Sequence, residues 1–196
     1  MHGWSGRILD IDLTRGTTRA TGPDPELLRR FVGGRGLGGR LLLPWFHLPW
    51  DHPDMPVLFV AGPLTGTISP TPGRLHVLSR SPLTGGLGDA SVGGRLGVVL
   101  KRAGYDAIRI TGRAEGLTGI AVDAEGARLE DASALAGAGC SAVFEALARR
   151  PGRPSVACVG PAAEHGVRYA GIVVDRHHAA GRTGLGLCLA AKGVKY

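Results

Sequence analysis

Polar and apolar residues alternate through Arg7-Ile8-Leu9-Asp10-Ile11-Asp12-Leu13, the period-two pattern of a half-buried strand. Thr14-Arg15-Gly16 turns the chain back into Thr17-Thr18-Arg19-Ala20, so the pattern predicts a hairpin at the start. Asp24 is a helix cap and Pro25 suits the first helical turn, which predicts a helix through residues 25–31. In Val32-Gly33-Gly34-Arg35-Gly36-Leu37-Gly38-Gly39 the glycine density predicts a turn, and the Pro-, Trp- and His-rich residues 44–56 predict a loop. Val57-Leu58-Phe59-Val60-Ala61 is an unbroken apolar run expected to be a buried strand, and residues 74–79 alternate again.

Further on, residues 94–103 predict a helix stopped by Gly104, and residues 106–112 a strand. Residues 118–123 and 127–130 predict a hairpin around Glu125-Gly126. A helix is expected over 141–150, closed by Pro151-Gly152, with strands at 156–160 and 167–174. A loop over 175–186 and a last helical turn over 187–192 complete the pattern. Strands outnumber helices, and hairpins outnumber strand–helix–strand units, which favours an α+β fold over a doubly wound sheet. Pro-Leu-Thr-Gly occurs twice, at Pro63 and at Pro82, each time after a strand. The repeat fits an internal duplication with two similar loops facing one ligand, or chance in a chain rich in glycine and proline.

Composition narrows this picture. With 43% hydrophobic and 20% charged residues the chain is globular, and 33 glycines without a G-X-Y period exclude collagen. The 23 basic and 16 acidic side chains leave a net charge of +7, which points to an anionic partner. Aromatic residues are only 5%, too few for the stacking platforms of single-strand binding, so nucleic acid is not the favoured partner. No apolar run approaches the ~18 residues of a membrane span, and the N-terminal stretch turns polar too soon for a signal peptide. The three cysteines, Cys140, Cys158 and Cys188, are widely spaced and odd in number. They read as buried thiols of a reducing compartment, with no C-x-x-C for zinc or an iron–sulfur cluster.

Four glycine–arginine clusters are the strongest chemical signal: Gly34-Arg35-Gly36, Gly73-Arg74, Gly93-Gly94-Arg95 and Gly181-Arg182-Thr183-Gly184. Glycine lets backbone N–H groups approach a phosphate, and arginine adds a planar charged fork. The competing reading is solvated arginine beside structural turns. Walker, dinucleotide, G-x-S-x-G and H-E-x-x-H motifs are all missing from the sequence. His177-His178 reads as solvated surface, and Asp89, Asp106 and Asp175 as isolated carboxylates.

Gly3-Trp4-Ser5-Gly6-Arg7-Ile8-Leu9, the Gly-Gly-Arg-Gly-Leu run, Ala61-Gly62-Pro63-Leu64-Thr65-Gly66-Thr67 with Gly73-Arg74, and Ser81-Pro82-Leu83-Thr84-Gly85 form one ordered series. It continues through Leu100-Lys101-Arg102-Ala103-Gly104-Tyr105-Asp106-Ala107-Ile108, Gly160-Pro161-Ala162-Ala163-Glu164 and Ala179-Ala180-Gly181-Arg182-Thr183-Gly184-Leu185-Gly186. The series resembles the aldehyde ferredoxin oxidoreductase family over nearly the whole chain, at its N-terminal domain. The resemblance implies a β-rich domain of two sheets with a few helices. It implies that residues 1–196 bind a tungsto-bispyranopterin, or its molybdenum form, with a bridging Mg ion. Arg74, Ser91, Gly93, Ala179, Ala180, Gly181 and Arg182 match the cofactor-binding positions, with the backbone carbonyls of Ser91 and Ala180 toward Mg. Ser91 stands where the family has asparagine, His178 where arginine is usual, and Gly193 where asparagine is usual.

The family's iron–sulfur and C-terminal domains, with their [4Fe-4S] cluster, have no counterpart in these residues. The resemblance therefore implies a cytoplasmic oxidoreductase domain that takes part in oxidising an aldehyde, with ferredoxin as the eventual acceptor, and that is inactive by itself. Its expected partner is a chain carrying the cluster domains, or a second copy of itself. The alternatives are a non-catalytic cofactor carrier or subunit of a split enzyme, and an inactive gene fragment.

Overall fold

The computed structural model describes residues 3–70 and 73–196. Met1 and His2, in the stretch weighed as a leader, and Thr71-Pro72, before Arg74, lie outside the described residues. The first alternating segments form β1 (Ile8–Asp12) and β2 (Thr17–Thr21), which pair as the expected hairpin. They join β3 (Val57–Ala61), β4 (Leu75–Arg80), β5 (Leu87–Val92) and β6 (Ala107–Thr111) in a six-stranded sheet of order β2-β1-β6-β3-β4-β5. The β1–β6 pair is parallel and every other neighbour in this sheet is antiparallel.

Side chains alternate across the sheet, so it feeds two cores. On one face Ile8, Leu58, Val60 and Leu78 meet Leu28 of α1 (Pro25–Phe31) and Leu37 and Leu42 of α2 (Gly34–Leu42). On the other face Leu9, Phe59, Leu75, Val77 and Val92 join the larger core. That core also takes in α3 (Leu96–Arg102), the hairpin of β7 (Thr118–Asp123) and β8 (Gly126–Asp131), and a small sheet. The small sheet has order β11-β10-β9, from β9 (Ala157–Cys158), β10 (Ile172–Val174) and β11 (His178–Ala180). α4 (Cys140–Ala148) packs a third cluster against Cys158, and α5 (Pro161–Glu164) and α6 (Leu185–Ala190) complete the fold. The α+β reading holds. Among the described residues no helix is long and apolar enough to cross a membrane.

Several expectations fail locally. The glycine-rich segment read as a turn is α2, because packing against the sheet overrides low helix propensity. A Cβ at Gly38 would meet Leu78 Cδ1 at 2.5 Å, so glycine is what lets this helix lie so close to β4. The segment 87–92, too polar to read as apolar, is the edge strand β5. The strand expected over 167–174 shrinks to Ile172–Val174, and the loop over 175–186 contains β11 and the start of α6.

The two Pro-Leu-Thr-Gly turns share a left-handed final glycine, with φ 80° at Gly66 and 70° at Gly85. One follows Ala61, the partner of Leu75, and the other follows Arg80, so they sit at opposite ends of β4. At ~3.3 Å per residue that separation is about 20 Å.

Candidate functional site

Three of the four glycine–arginine clusters, scattered through the sequence, meet at the Leu75–Val92 end of β4 and β5, and the fourth, residues 181–184, lies toward the other end beside Gly88 and Ser81. A Cβ at Gly34, the first residue of α2, would meet the His76 ring at 2.9 Å. A Cβ at Gly73 would lie 3.0 Å from the Gly94 carbonyl. A Cβ at Gly93 would meet His178 Nδ1 at 3.1 Å, and one at Gly88 would meet Thr183 Oγ1 at 3.0 Å. Strand β11 and the residues after it therefore run along the free edge of β5, in a seam where a side chain at Gly88 or Gly93 would crowd its neighbours. Ser91 lies between those two glycines, and Ala180 between His178 and Thr183, so both predicted carbonyl donors belong to this seam. Arg74 immediately precedes Leu75, whose partner is Val92, so it reaches the same end. The predicted residues are thus strung along this seam, with Arg74 near its Gly93 end and Arg182 toward its Gly88 end.

Within this cluster the charges are unequally committed. Arg35 Nε lies 2.5 Å from Asp89 Oδ2, while Asp89 Oδ1 lies 2.7 Å from His76 Nδ1. Arg74 and Arg182 are both exposed, and among the described residues neither guanidinium has a carboxylate partner. Arg74 and His76 line a groove of about 540 Å³ with Gly62, Thr65 and the start of α2. Thr65 Oγ1 donates to the Arg74 carbonyl at 3.1 Å and accepts the Gly62 N–H at 3.1 Å, which fixes the backbone beneath the guanidinium.

The β10–β11 turn is anchored by Asp175, whose carboxylate accepts the Arg95 N–H at 2.7 Å, the Val156 N–H at 3.1 Å and the Ser155 hydroxyl at 2.8 Å. Asp175 and Arg176 themselves sit at φ 48° and 66°, the left-handed pair that a tight hairpin turn needs.

Three carboxylates read as isolated are not. Asp89 holds His76 and Arg35, and Asp175 is the anchor just described. Asp106, almost fully buried, binds Lys101 and the Ser5 and Gly6 N–H groups. Half of these partners are more than fifty positions away, so no local spacing announces them. His76 and Asp89 are the site residues that sequence reasoning missed. Their only signal was two polar residues on alternating strands. His177 and His178 are exposed as expected, though His178 packs against the two glycines of β5's end. Cys158 and Cys188 are buried, and Cys140 is half-buried.

Among the described residues no group of three or more His, Cys, Asp or Glu could hold a metal ion. Arg74 and Arg182 instead leave uncommitted donors beside glycine backbone, chemistry that suits an anion. A hard cation there would depend on carbonyls of the seam and on oxygens brought by the ligand.

The family model described as the aldehyde ferredoxin oxidoreductase N-terminal domain matches residues 8–196. The chain is 38% identical over its full length to the tungsten-containing aldehyde ferredoxin oxidoreductase of Pyrococcus furiosus, and covers 33% of that protein. It is 30% identical to the aliphatic sulfonate oxidoreductase WOR-like subunit of the same organism, and covers 34% of that protein. Among solved structures, the active-site complex BamBC of benzoyl coenzyme A reductase with 1,5-dienoyl-CoA superposes at a TM-score of 0.94. Identity there is 30%, over 99% of this chain and 30% of that one. The chain spans about a third of the length of the curated relatives it matches.

Proposed function

The chain belongs to the aldehyde ferredoxin oxidoreductase family, and from that membership we propose that residues 1–196 are the cofactor-binding domain of a tungsten-dependent oxidoreductase. The observation that carries this reading is the run of Ser91, Gly93 and residues 178–182 along one seam, with an uncommitted guanidinium toward each end, Arg74 and Arg182. These residues fit a doubly phosphorylated ligand. Arg74 and Arg182 would grip its phosphates or pterin carbonyls through paired N–H donors. Gly93 and Gly181 would let it lie against the backbone, and Ala179 would close its side. The Ser91 and Ala180 carbonyls would face a bridging Mg ion, so serine in place of asparagine there does not remove a ligand. When bound, a tungsto-bispyranopterin, or its molybdenum form, supplies the oxidation–reduction chemistry, and the protein positions it.

The reaction proposed for the completed enzyme is oxidation of an aldehyde to a carboxylic acid. It consumes one water and releases two electrons and two protons, the electrons leaving through a [4Fe-4S] cluster to ferredoxin. That cluster would be held outside these 196 residues, which have three cysteines, two of them buried, in place of the four ligands a [4Fe-4S] cluster takes. The same fold at a TM-score of 0.94 occurs in a protein with a different named ligand, which supports placing substrate choice outside this domain.

The partner would be the cluster-bearing domains, in the same chain or another, or a second copy of this chain. Exposed Val32 (51%), Leu64 (62%) and Ile68 (105%) near the Arg74 groove support a surface that is covered in the working assembly. Reduced thiols fit a cytoplasmic setting.

The test is metal and pterin analysis of the protein from its native host. Two pterins per tungsten are expected, with occupancy lost in an Arg74→Ala/Arg182→Ala double variant. A protein with neither metal nor pterin, or a double variant that keeps both, would overturn the assignment.

A further inference from the structure

On the opposite face of the six-stranded sheet from His76 lies a cavity of about 720 Å³. Its walls are aliphatic: Val99 and Leu100 of α3, Ile108 and Ile110 of β6, Ile120 and Val122 of β7. Protein interiors pack to crystal density and rarely leave a void larger than a water molecule. A space of this size falls among ligand pockets instead, which run to several hundred Å³.

Its rim is polar, and each of its charges has an opposite partner. Arg150 Nη1 lies 2.6 Å from Glu130 Oε2, and Arg150 Nη2 lies 3.0 Å from the Tyr196 hydroxyl. That hydroxyl donates to Glu130 at 2.8 Å, and Arg128 Nη1 lies 2.5 Å from Asp123.

The rim decides what head group fits. Its two arginines are already matched by two carboxylates, so a further carboxylate would arrive beside Asp123 and Glu130 without a cation of its own. A guanidinium carries five N–H donors, and few of those here are used, whereas Asp123 and Glu130 Oε2 already accept from the two arginines and Tyr196. A neutral acceptor therefore suits the rim, and an aliphatic body suits the walls. We propose that this cavity binds a neutral aliphatic molecule carrying one carbonyl or hydroxyl head, at a site separate from the Arg74–Arg182 seam and independent of the reading given to that seam.

The test titrates the 196-residue chain with 2-alkanones of six to twelve carbons, and with n-alkanoates of matching length, by thermal shift and ligand-observed NMR. Ketone binding is expected to saturate and to tighten about fourfold for each added methylene until the cavity is full. Alkanoates of the same length should bind at least about tenfold more weakly at pH 7.5. Ala103→Phe and Ala157→Phe, from different walls, should each cut ketone affinity about tenfold or more while the melting temperature holds or rises. Absence of saturable binding at every chain length would overturn the proposal, as would affinity that ignores chain length or alkanoates that bind as tightly as ketones. If both phenylalanine variants fold and still bind the ketones like wild type, the cavity is not the site and the proposal falls.

Discussion

The Asp175 carboxylate accepts the backbone N–H of Arg95 at 2.7 Å, joining residues 80 positions apart. This bond ties the β10–β11 turn to the residue that opens α3, and so holds the strand carrying Ala179 and Ala180 against β5. One side chain thereby fixes the spacing of a seam to which the larger sheet and the small sheet each contribute one wall.

Asp175→Ala should therefore loosen the site before it unfolds the protein. It leaves the Arg95 and Val156 N–H groups and the Ser155 hydroxyl without their acceptor, a loss of about 2–3 kcal/mol in a half-buried position. Urea unfolding should show that loss, and amide exchange should quicken over residues 176–182. A change below about 0.5 kcal/mol with unaltered exchange would show the anchor to be idle.

Arg74→Lys and Arg182→Lys test the forked contact. Lysine keeps the charge and loses the planar pair of donors, so each should weaken cofactor retention by roughly 1.5–3 kcal/mol, about ten- to a hundredfold. The readout is metal and pterin occupancy after gel filtration of the assembled protein. Occupancy equal to wild type in both variants would rule out the forked contact.

Lys192 gives a pH signature. It is 4% exposed, and its Nζ donates to the Pro53 and Gly112 carbonyls at 2.6 and 3.2 Å. Burial pushes its pKa from 10.5 to about 8. Below pH 8 both folded and unfolded chains hold the proton, so the burial penalty applies in full. Between pH 8 and 10.5 the folded chain releases it first, and the contribution of this residue to stability rises, by at most roughly 3 kcal/mol. Cys188 acts in the other direction: burial raises its thiol from 9.0 to about 12, so stability from that group is lost as pH climbs above 9. The difference between wild type and Lys192→Met isolates the lysine, and should shift toward wild type from pH 8 to 10. A difference that stays flat across that range would refute the assignment.

Gly184 is irreplaceable on geometric grounds. It has φ 76°, and a Cβ there would meet the Arg168 carbonyl oxygen at 2.0 Å, backbone that cannot step aside. Gly184→Ala should cost more than about 3 kcal/mol and lower the yield of folded protein. Gly139, with φ −66° and open space around its Cβ position, is the control, and Gly139→Ala should change stability by less than about 1 kcal/mol.

The 196 residues by themselves should oxidise no aldehyde with a dye acceptor, even when loaded with cofactor, because nothing in them carries a cluster. Steady turnover by the pure chain would mean that electrons leave by another route.

What the sequence determined by itself was whatever depends on neighbours along the chain. Period-two alternation located β1 and β4, the unbroken apolar run located β3, and Glu125-Gly126 marked the β7–β8 hairpin, because strand patterning and turn chemistry are local. Asp24 and Pro25 placed the start of α1 for the same reason: the aspartate accepts the Glu26 N–H at 2.9 Å. The ordered glycine–arginine motifs named the candidate site residues through family resemblance, without saying how they are arranged. Only the tertiary structure decided that α2 is a helix, since its glycines earn that shape by fitting against His76 and Leu78. It also decided that Asp89 and Asp175 are partnered and that β11 closes on β5. Hydrogen-bond and ion-pair partners as far as 139 residues away leave no periodic trace, because their spacing is set by the fold and not by the chain.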